Sequence, residues 1–231
     1  MSPRRVVVTG AAKGIGRATA RAFERLDDHV TALARADLDV TDEAAVTRVF
    51  AELGPVDVLV INAGVADSAP LARTTLASWQ QHLAVNATGA FLCSRAVLPG
   101  MLERGRGVIV TIASTAGVVG TPYTAAYTAS KHAAVGLTRV IAAETAGTGV
   151  RAAAVCPTFV ETDIARRAIE RIVSLTGRSE SEARRSLERL SPLNRLLKPE
   201  EVAAAVVQVA SEEAGGVNGQ ILILDGGGVQ D

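Results

Sequence analysis

Tyr127 and Lys131 stand four residues apart in Tyr127-Thr128-Ala129-Ser130-Lys131. On a helix that spacing puts both on one face, where an ammonium lowers the pKa of a neighbouring phenol and lets a tyrosinate exchange protons near neutral pH. Ser114, 13 residues earlier, follows a strand-like run and is placed to polarise a carbonyl oxygen. A third signal is Thr9-Gly10-Ala11-Ala12-Lys13-Gly14-Ile15-Gly16, between the first strand-like and the first helix-like stretch. Glycines there let the backbone turn tightly and approach a dinucleotide pyrophosphate at a positive helix N-terminus. Each signal has a plain alternative: two unrelated residues on one helix face, a turn serine, an ordinary glycine turn. Behind a phosphate-binding loop the three together point to catalysis.

Such residues need a rigid frame. Apolar, β-rich runs at 5–9, 29–34, 56–61, 107–112, 150–155 and 220–224 read as strands, and helical patterns lie between them at 15–26, 42–53, 75–104, 125–147 and 199–212. This alternation predicts an α/β, doubly wound parallel sheet covered by helices on both faces, as one domain over 1–231. After Ala34 too few residues precede Asp42 for a crossover helix, which normally needs a dozen or more. The edge strand that would follow is therefore predicted to be a stub around 38–40, or absent. Residues 162–198 interrupt the alternation with two helical patterns, 163–176 and 179–190. Ser179 with Glu182 fits a capping box at the start of the second, and the pair reads as a helical lid.

The 231 residues carry 24 basic and 24 acidic side chains, and 48% are hydrophobic. That composition suits one compact core and lacks the basic excess of a general nucleic-acid binder. No apolar run approaches a membrane span, and the start of the chain is too short in apolar residues for an export signal, so a cytoplasmic protein is expected. Cys93 and Cys156 are isolated and read as buried apolar residues; with His29, His82 and His132 they show no ligand spacing, so no metal site is expected. Trp79 reads as packing or a subunit contact.

In combination these residues resemble the short-chain dehydrogenase/reductase family, over 6–227. The glycine motif is complete, Asn62-Ala63-Gly64 matches the family's NAG, and Asn86 in Val85-Asn86-Ala87-Thr88-Gly89 matches its helix asparagine. Ser114, Tyr127 and Lys131 match the catalytic residues, Pro157 and Val160-Glu161-Thr162 the nicotinamide-holding segment, and Asp225-Gly226-Gly227 the closing strand. The resemblance implies a Rossmann-type fold and hydride transfer between a nicotinamide and a carbonyl or secondary alcohol. Tyr127 would be the general acid/base and Ser114 would orient the carbonyl. Lys131 would tune Tyr127 and hold the nicotinamide ribose, and Asn86 would keep a water in the proton relay. Gly10, Gly14, Ile15, Gly16, Asn62, Ala63 and Gly64 would line the cofactor groove. Two positions depart from the pattern: Thr158 replaces the usual glycine after Pro157, bringing a side chain toward the pocket, and Ile61 replaces the first residue of NNAG.

An NAD-specific site would place an acid where Ala34 stands. Arg35 and Lys13 instead resemble the cations that pair with a 2′-phosphate, which favours NADP(H). In the alternative Arg35 stacks on adenine and Asp37 takes the ribose, giving NAD(H); Asp39-Val40 resembles the adenine-contacting pair in either case. Residues 163–198 hold nine basic against five acidic residues, which would steer an anionic substrate such as an acyl thioester, or form a solvated, ion-paired helix pair. Their sequence looks like that of 3-oxoacyl reductases and hydroxyacyl dehydrogenases. Tyr123, Thr158, Phe159 and Ile164 are the expected pocket lining. The long helical patterns at 75–104 and 125–147 resemble those through which the family forms dimers and tetramers. Two other readings compete: a non-catalytic dinucleotide-binding regulator, and an extended-branch sugar-nucleotide epimerase, for whose substrate domain the six residues after Asp225 leave no room.

Overall fold

The structure, a computed structural model, describes residues 3–229; Met1 and Ser2, read above as part of the chain start, lie outside the described residues. Six strands form one sheet: β1 (Arg5–Thr9), β2 (His29–Leu33), β3 (Val58–Ile61), β4 (Gly107–Ile112), β5 (Val150–Pro157) and β6 (Ile221–Leu224). All pairings are parallel, in the order β2-β1-β3-β4-β5-β6. The strands alternate strictly between two cores, as period-2 side chains must. Val7, Leu59, Ile109 and Ala152 face helices α2 (Glu43–Leu53), α4 (Gly89–Arg104) and α5 (Ala125–Glu144). Val6, Val8, Val58, Val60, Val110 and Val155 face α1 (Gly14–Glu24) and α8 (Pro199–Val209). Burying each such side chain contributes about 1.5–3 kcal/mol, which makes the centre of the sheet the rigid platform for anything mounted on its strand ends.

Among the described residues no strand follows β2 before β3, in agreement with the short connection. Residues 34–42 fold into a compact turn instead. The Leu38 N–H donates to the Ala34 carbonyl at 3.0 Å, and Leu38 and Val40 drop into the α2/α4 core. Asp42 caps α2, accepting from the Ala45 N–H at 3.0 Å.

The helical pattern at 75–104 is one course with a change of pitch. Thr75 caps α3 (Leu76–His82), a π-helical turn spans Leu83–Thr88, and α4 follows. The interruption at 162–198 is two helices, α6 (Asp163–Thr176) and α7 (Glu180–Glu188), which bury Ala165, Ile169, Ala183 and Leu187 against each other. The Ser179/Glu182 capping box is formed in full. The chain leaves β1 in one direction for β2 and returns on the other side for β3. That reversal is the switch point where open parallel sheets bind ligands, outside the carboxyl ends of the strands.

Candidate active site

The loop from β1 into α1 packs directly onto the loop after β3. A Cβ on Gly10, where φ is +64°, would lie 2.8 Å from the Ala63 Cα, and one on Gly16 would lie 2.6 Å from the Gly10 carbonyl oxygen. Asn62 rivets the two loops: its amide donates to the carbonyls of Thr9 (2.9 Å) and Gly10 (3.0 Å), and the Thr9 hydroxyl accepts from the Asn62 and Ala63 amides. No side chain caps α1, so the first-turn amides of Gly14, Ile15 and Gly16 are available to an anion. Thr162 closes the far side, 3.2 Å from where a Gly14 Cβ would stand, and the Lys13 ammonium pairs with Asp163. The cleft between α1 and the α6–α8 segment measures about 470 Å³ and includes Lys13, Gly14 and Thr162.

The two cations matched to a 2′-phosphate are not brought together. Lys13 faces Asp163, while Arg35 is exposed and lies 3.4 Å from Asp39. The Thr41 N–H and hydroxyl hold the Asp39 carboxyl below its ordinary range. Asp37 accepts from the Ala34 N–H at 2.8 Å, which commits one of its oxygens to the turn. The Val40 side chain is 6% exposed and belongs to the core. Pro157 ends β5 and is buried, and Val160 pairs with Leu197 in an isolated bridge at the base of the α6–α7 segment.

Ser114, Tyr127, Lys131 and Asn86 do converge. Ser114 follows β4 and caps a short 3₁₀ turn, accepting from the Ala116 N–H at 3.1 Å. Burial pushes the Tyr127 phenol up, and its hydrogen bond with Ser114 opposes that shift. Lys131 is 5% exposed, and burial lowers it to about 8. Its Nζ donates to the Ile112 carbonyl at 2.8 Å and stands 5.9 Å from the centre of the Tyr127 ring. The ammonium thus stands on the side of α5 that carries the phenol, with one of its three donors on β4 and the other two open to a ligand. Asn86 lies in the π-helical turn. Its side chain accepts from the Val65 N–H and donates to the Val65 carbonyl and to Ser130 Oγ, each at 2.9 Å, so both of its amide hydrogens are committed within the protein. Ser130 in turn donates to the Tyr127 carbonyl at 2.7 Å.

Of the expected pocket residues, Tyr123 (φ +67°) and Ile164 are exposed, and Thr158 and Phe159 are partly buried. The basic excess in 163–198 is largely neutralised: Arg166 pairs with Asp163 and Glu170, Arg171 with Asp67, Arg184 with Glu161 and Glu188, and Arg195 with Glu201. Residues that sequence reasoning passed over also gather here. His82 meets the Tyr127 ring edge-on and accepts from the Asp67 N–H, and Cys156 lies close enough to influence both Tyr127 and Lys131. A π-helical turn is frequent at functional sites but leaves no mark in residue periodicity. Among the described residues no group of side chains could hold a metal ion, and no helix is long and apolar enough to cross a membrane.

A parallel sheet with a glycine turn at its switch point, and a serine, tyrosine and lysine at its strand ends, defines a Rossmann-type α/β enzyme. A family model described as enoyl-(acyl carrier protein) reductase matches residues 24–228. A D-threitol dehydrogenase of Mycolicibacterium smegmatis is 38% identical over 96% of this chain and 91% of its own. A Xanthobacter autotrophicus protein named an inactive 2-(S)-hydroxypropyl-CoM dehydrogenase is 44% identical over 82% of each chain. Among solved structures, a variant of actinorhodin polyketide ketoreductase with NADPH superposes with a TM-score of 0.90 at 32% identity, covering 99% of this chain and 98% of that one. The chain belongs to the short-chain dehydrogenase/reductase family and is an oxidoreductase.

Proposed function

We propose that the protein interconverts a ketone and a secondary alcohol with NADP(H) as the hydride carrier. The convergence of Ser114, Tyr127 and Lys131 beside a side-chain-free glycine groove carries this reading. The loop fits a dinucleotide: Gly10 and Gly16 let its backbone pack tightly on Asn62 and Ala63, and the uncapped α1 offers its first-turn amides to a pyrophosphate. Gly14, Ile15 and Gly16 would hold the pyrophosphate, Asp39 and the backbone of Val40 the adenine, and Asn62, Ala63 and Gly64 the wall behind the ribose. Lys131 would take the nicotinamide ribose, and Pro157, Val160 and Thr162 the nicotinamide. When bound, the nicotinamide supplies or accepts hydride at C4.

The chain's own residues handle the proton. In reduction the Ser114 hydroxyl donates to the substrate carbonyl oxygen and aims it, and Tyr127 gives its phenolic proton to that oxygen as the alcohol forms. Lys131, leaving the Ile112 carbonyl for the ribose, stabilises the phenolate that remains. With its side chain committed to Val65 and Ser130, Asn86 would serve the relay through the backbone of its π-helical turn. The α6–α7 segment would close over the substrate as a lid.

Lys13 and Arg35 support the choice of NADP(H). Their present partners are surface carboxylates, and exposed ion pairs are worth only about 0–1 kcal/mol, so exchanging them for a 2′-phosphate costs little. Solved relatives that hold NADPH and NADP support this choice. One relative is named inactive, which keeps the regulator reading in play, but all four residues of the proton machinery are present in this chain. Oligomerisation through α4 and α5, where Phe91 and Val140 are 43% and 52% exposed, completes the proposal and is checked by sizing. The deciding experiment is titration with NADPH and with NADH, followed by a carbonyl panel with the preferred one. NADPH preference that disappears in Arg35→Ala supports the reading, and preference for NADH in the unmodified protein overturns the choice of cofactor.

A further inference from the structure

His82 is 2% exposed at the end of α3, and the proton transfer assigned to Tyr127 has no use for it. Both of its ring nitrogens are engaged. Nδ1 lies 2.7 Å from the Ser78 carbonyl oxygen, and Nε2 lies 3.0 Å from the Asp67 amide nitrogen. A carbonyl can only accept and an amide N–H can only donate, so the geometry assigns the neutral tautomer protonated on Nδ1. The ring also meets the Tyr127 ring edge-on, with centroids 6.3 Å apart and planes at 78°.

The segment after β3 has almost no regular structure and is held at alternate residues instead. Val65 is clamped through its N–H and carbonyl by Asn86, the Asp67 N–H is held by His82, and the Ala69 N–H donates to the Tyr123 carbonyl at 2.8 Å. From the middle point the Asp67 carboxylate reaches Arg171 of α6 at 2.9 Å. Contacts thus run without a break from the Tyr127 ring through His82 and Asp67 to α6. An ion pair between half-exposed partners is weak alone, so the backbone on which Asp67 is mounted decides whether the pair forms.

We propose that His82 is a positioning residue: by holding the Asp67 amide it sets the Asp67 carboxylate to capture Arg171, and so fixes the wall between the β3 loop and α6 against which the substrate is held. This rests on the assignment of Tyr127 as the proton donor. If His82 were only core packing, any polar isostere would replace it equally well.

Two variants separate these cases. His82→Gln carries its amide oxygen to about the place of Nε2 and keeps an acceptor for the Asp67 N–H. His82→Asn keeps a donor near the place of Nδ1 for Ser78 and loses that acceptor. Thermal melting checks that both fold. Hydrogen exchange of the Asp67 amide is expected to quicken about fivefold in His82→Asn, the loss of one ordinary hydrogen bond, and to stay near the unmodified rate in His82→Gln. KM for the carbonyl should rise by a similar factor in His82→Asn with kcat and the KM for the dinucleotide unmoved, and Arg171→Met should reproduce that rise without adding to it in the double variant. Equal behaviour of the Asn and Gln variants overturns the proposal, as does faster exchange without any change in KM. An unmodified protein that turns over no carbonyl would mark failure of the Tyr127 assignment instead, while the exchange rates still decide whether His82 holds the loop.

Discussion

Lys131 gives the sharpest quantitative consequence of the site. Burial lowers its ammonium from 10.5 to about 8, with Cys156 opposing slightly. A fall of that size means that the folded protein disfavours the charged form by roughly 3 kcal/mol relative to the unfolded chain. A nicotinamide ribose held by the ammonium selects the charged form and pulls the other way. Below pH 8 the lysine is already protonated and dinucleotide affinity should be flat. Above pH 8 each bound dinucleotide must recruit a proton, so affinity should weaken by up to about tenfold per pH unit until the pKa of the complex is reached. Stability responds with the opposite sign. Between pH 8 and 10.5 the unfolded chain binds the extra proton, so the burial penalty is full below pH 8 and fades as pH rises through that window. Isothermal titration with NADPH from pH 6.5 to 9.5 reads the first effect, and denaturant unfolding of the protein alone reads the second. Lys131→Met should flatten the affinity profile, bind more weakly at pH 7, and lose the rise in stability. Burial raises the Tyr127 phenol above its ordinary 10, which keeps it protonated over the range of the affinity titration. An affinity constant up to pH 9.5, or a fall that persists in Lys131→Met, would refute the placement of the ribose on Lys131.

Three further outcomes are expected. Tyr127→Phe removes the proton donor while keeping the ring against His82, so kcat should fall by roughly 10²–10⁴ with dinucleotide affinity retained, as measured by steady-state kinetics and titration. Gly16→Ala puts a Cβ 2.6 Å from the Gly10 carbonyl and onto the Asn62 amide; loss of dinucleotide binding beyond detection by titration is expected, with a lower melting temperature as the rivet between the two loops opens. Ser179→Ala breaks the capping box at the start of α7 and should cost about 1 kcal/mol, read as faster proteolysis of residues 177–190 with little change at the strand ends.

The frame was legible because its signals are local. Val6 to Val8 between polar neighbours, a glycine turn, and then a helix with Ala20 and Phe23 inward can hardly fold otherwise, and the shortness of 35–41 by itself excluded another crossover. The capping box at Ser179 was readable for the same reason: both partners lie within one turn. The residues to be gathered at the strand ends were legible as well, since Ser114, Tyr127 and Lys131 follow a strand or share a helix face.

What each of those side chains does with its polar atoms depended on partners far along the chain. Lys131 stands near the ring of Tyr127, its neighbour four residues away, but β4 also brings the Ile112 carbonyl within 2.8 Å, a partner nineteen residues off that no helical spacing reveals. Asn86 and Val65 lie 21 residues apart, and Arg171 and Asp67 104 apart, and both contacts are made by side chains whose types alone suggest solvent exposure. The basic surplus of 163–198 left two readings open for that reason: counted by composition it is a positive patch, but acids supplied by residues 67, 161 and 201 from outside or beyond the two helices cancel much of it. His82 shows the same limit most clearly. Its surroundings in sequence are ordinary helix, and only the return of the β3 loop against α3 and α5 turns a buried imidazole into the tie between the candidate proton donor and the wall opposite it.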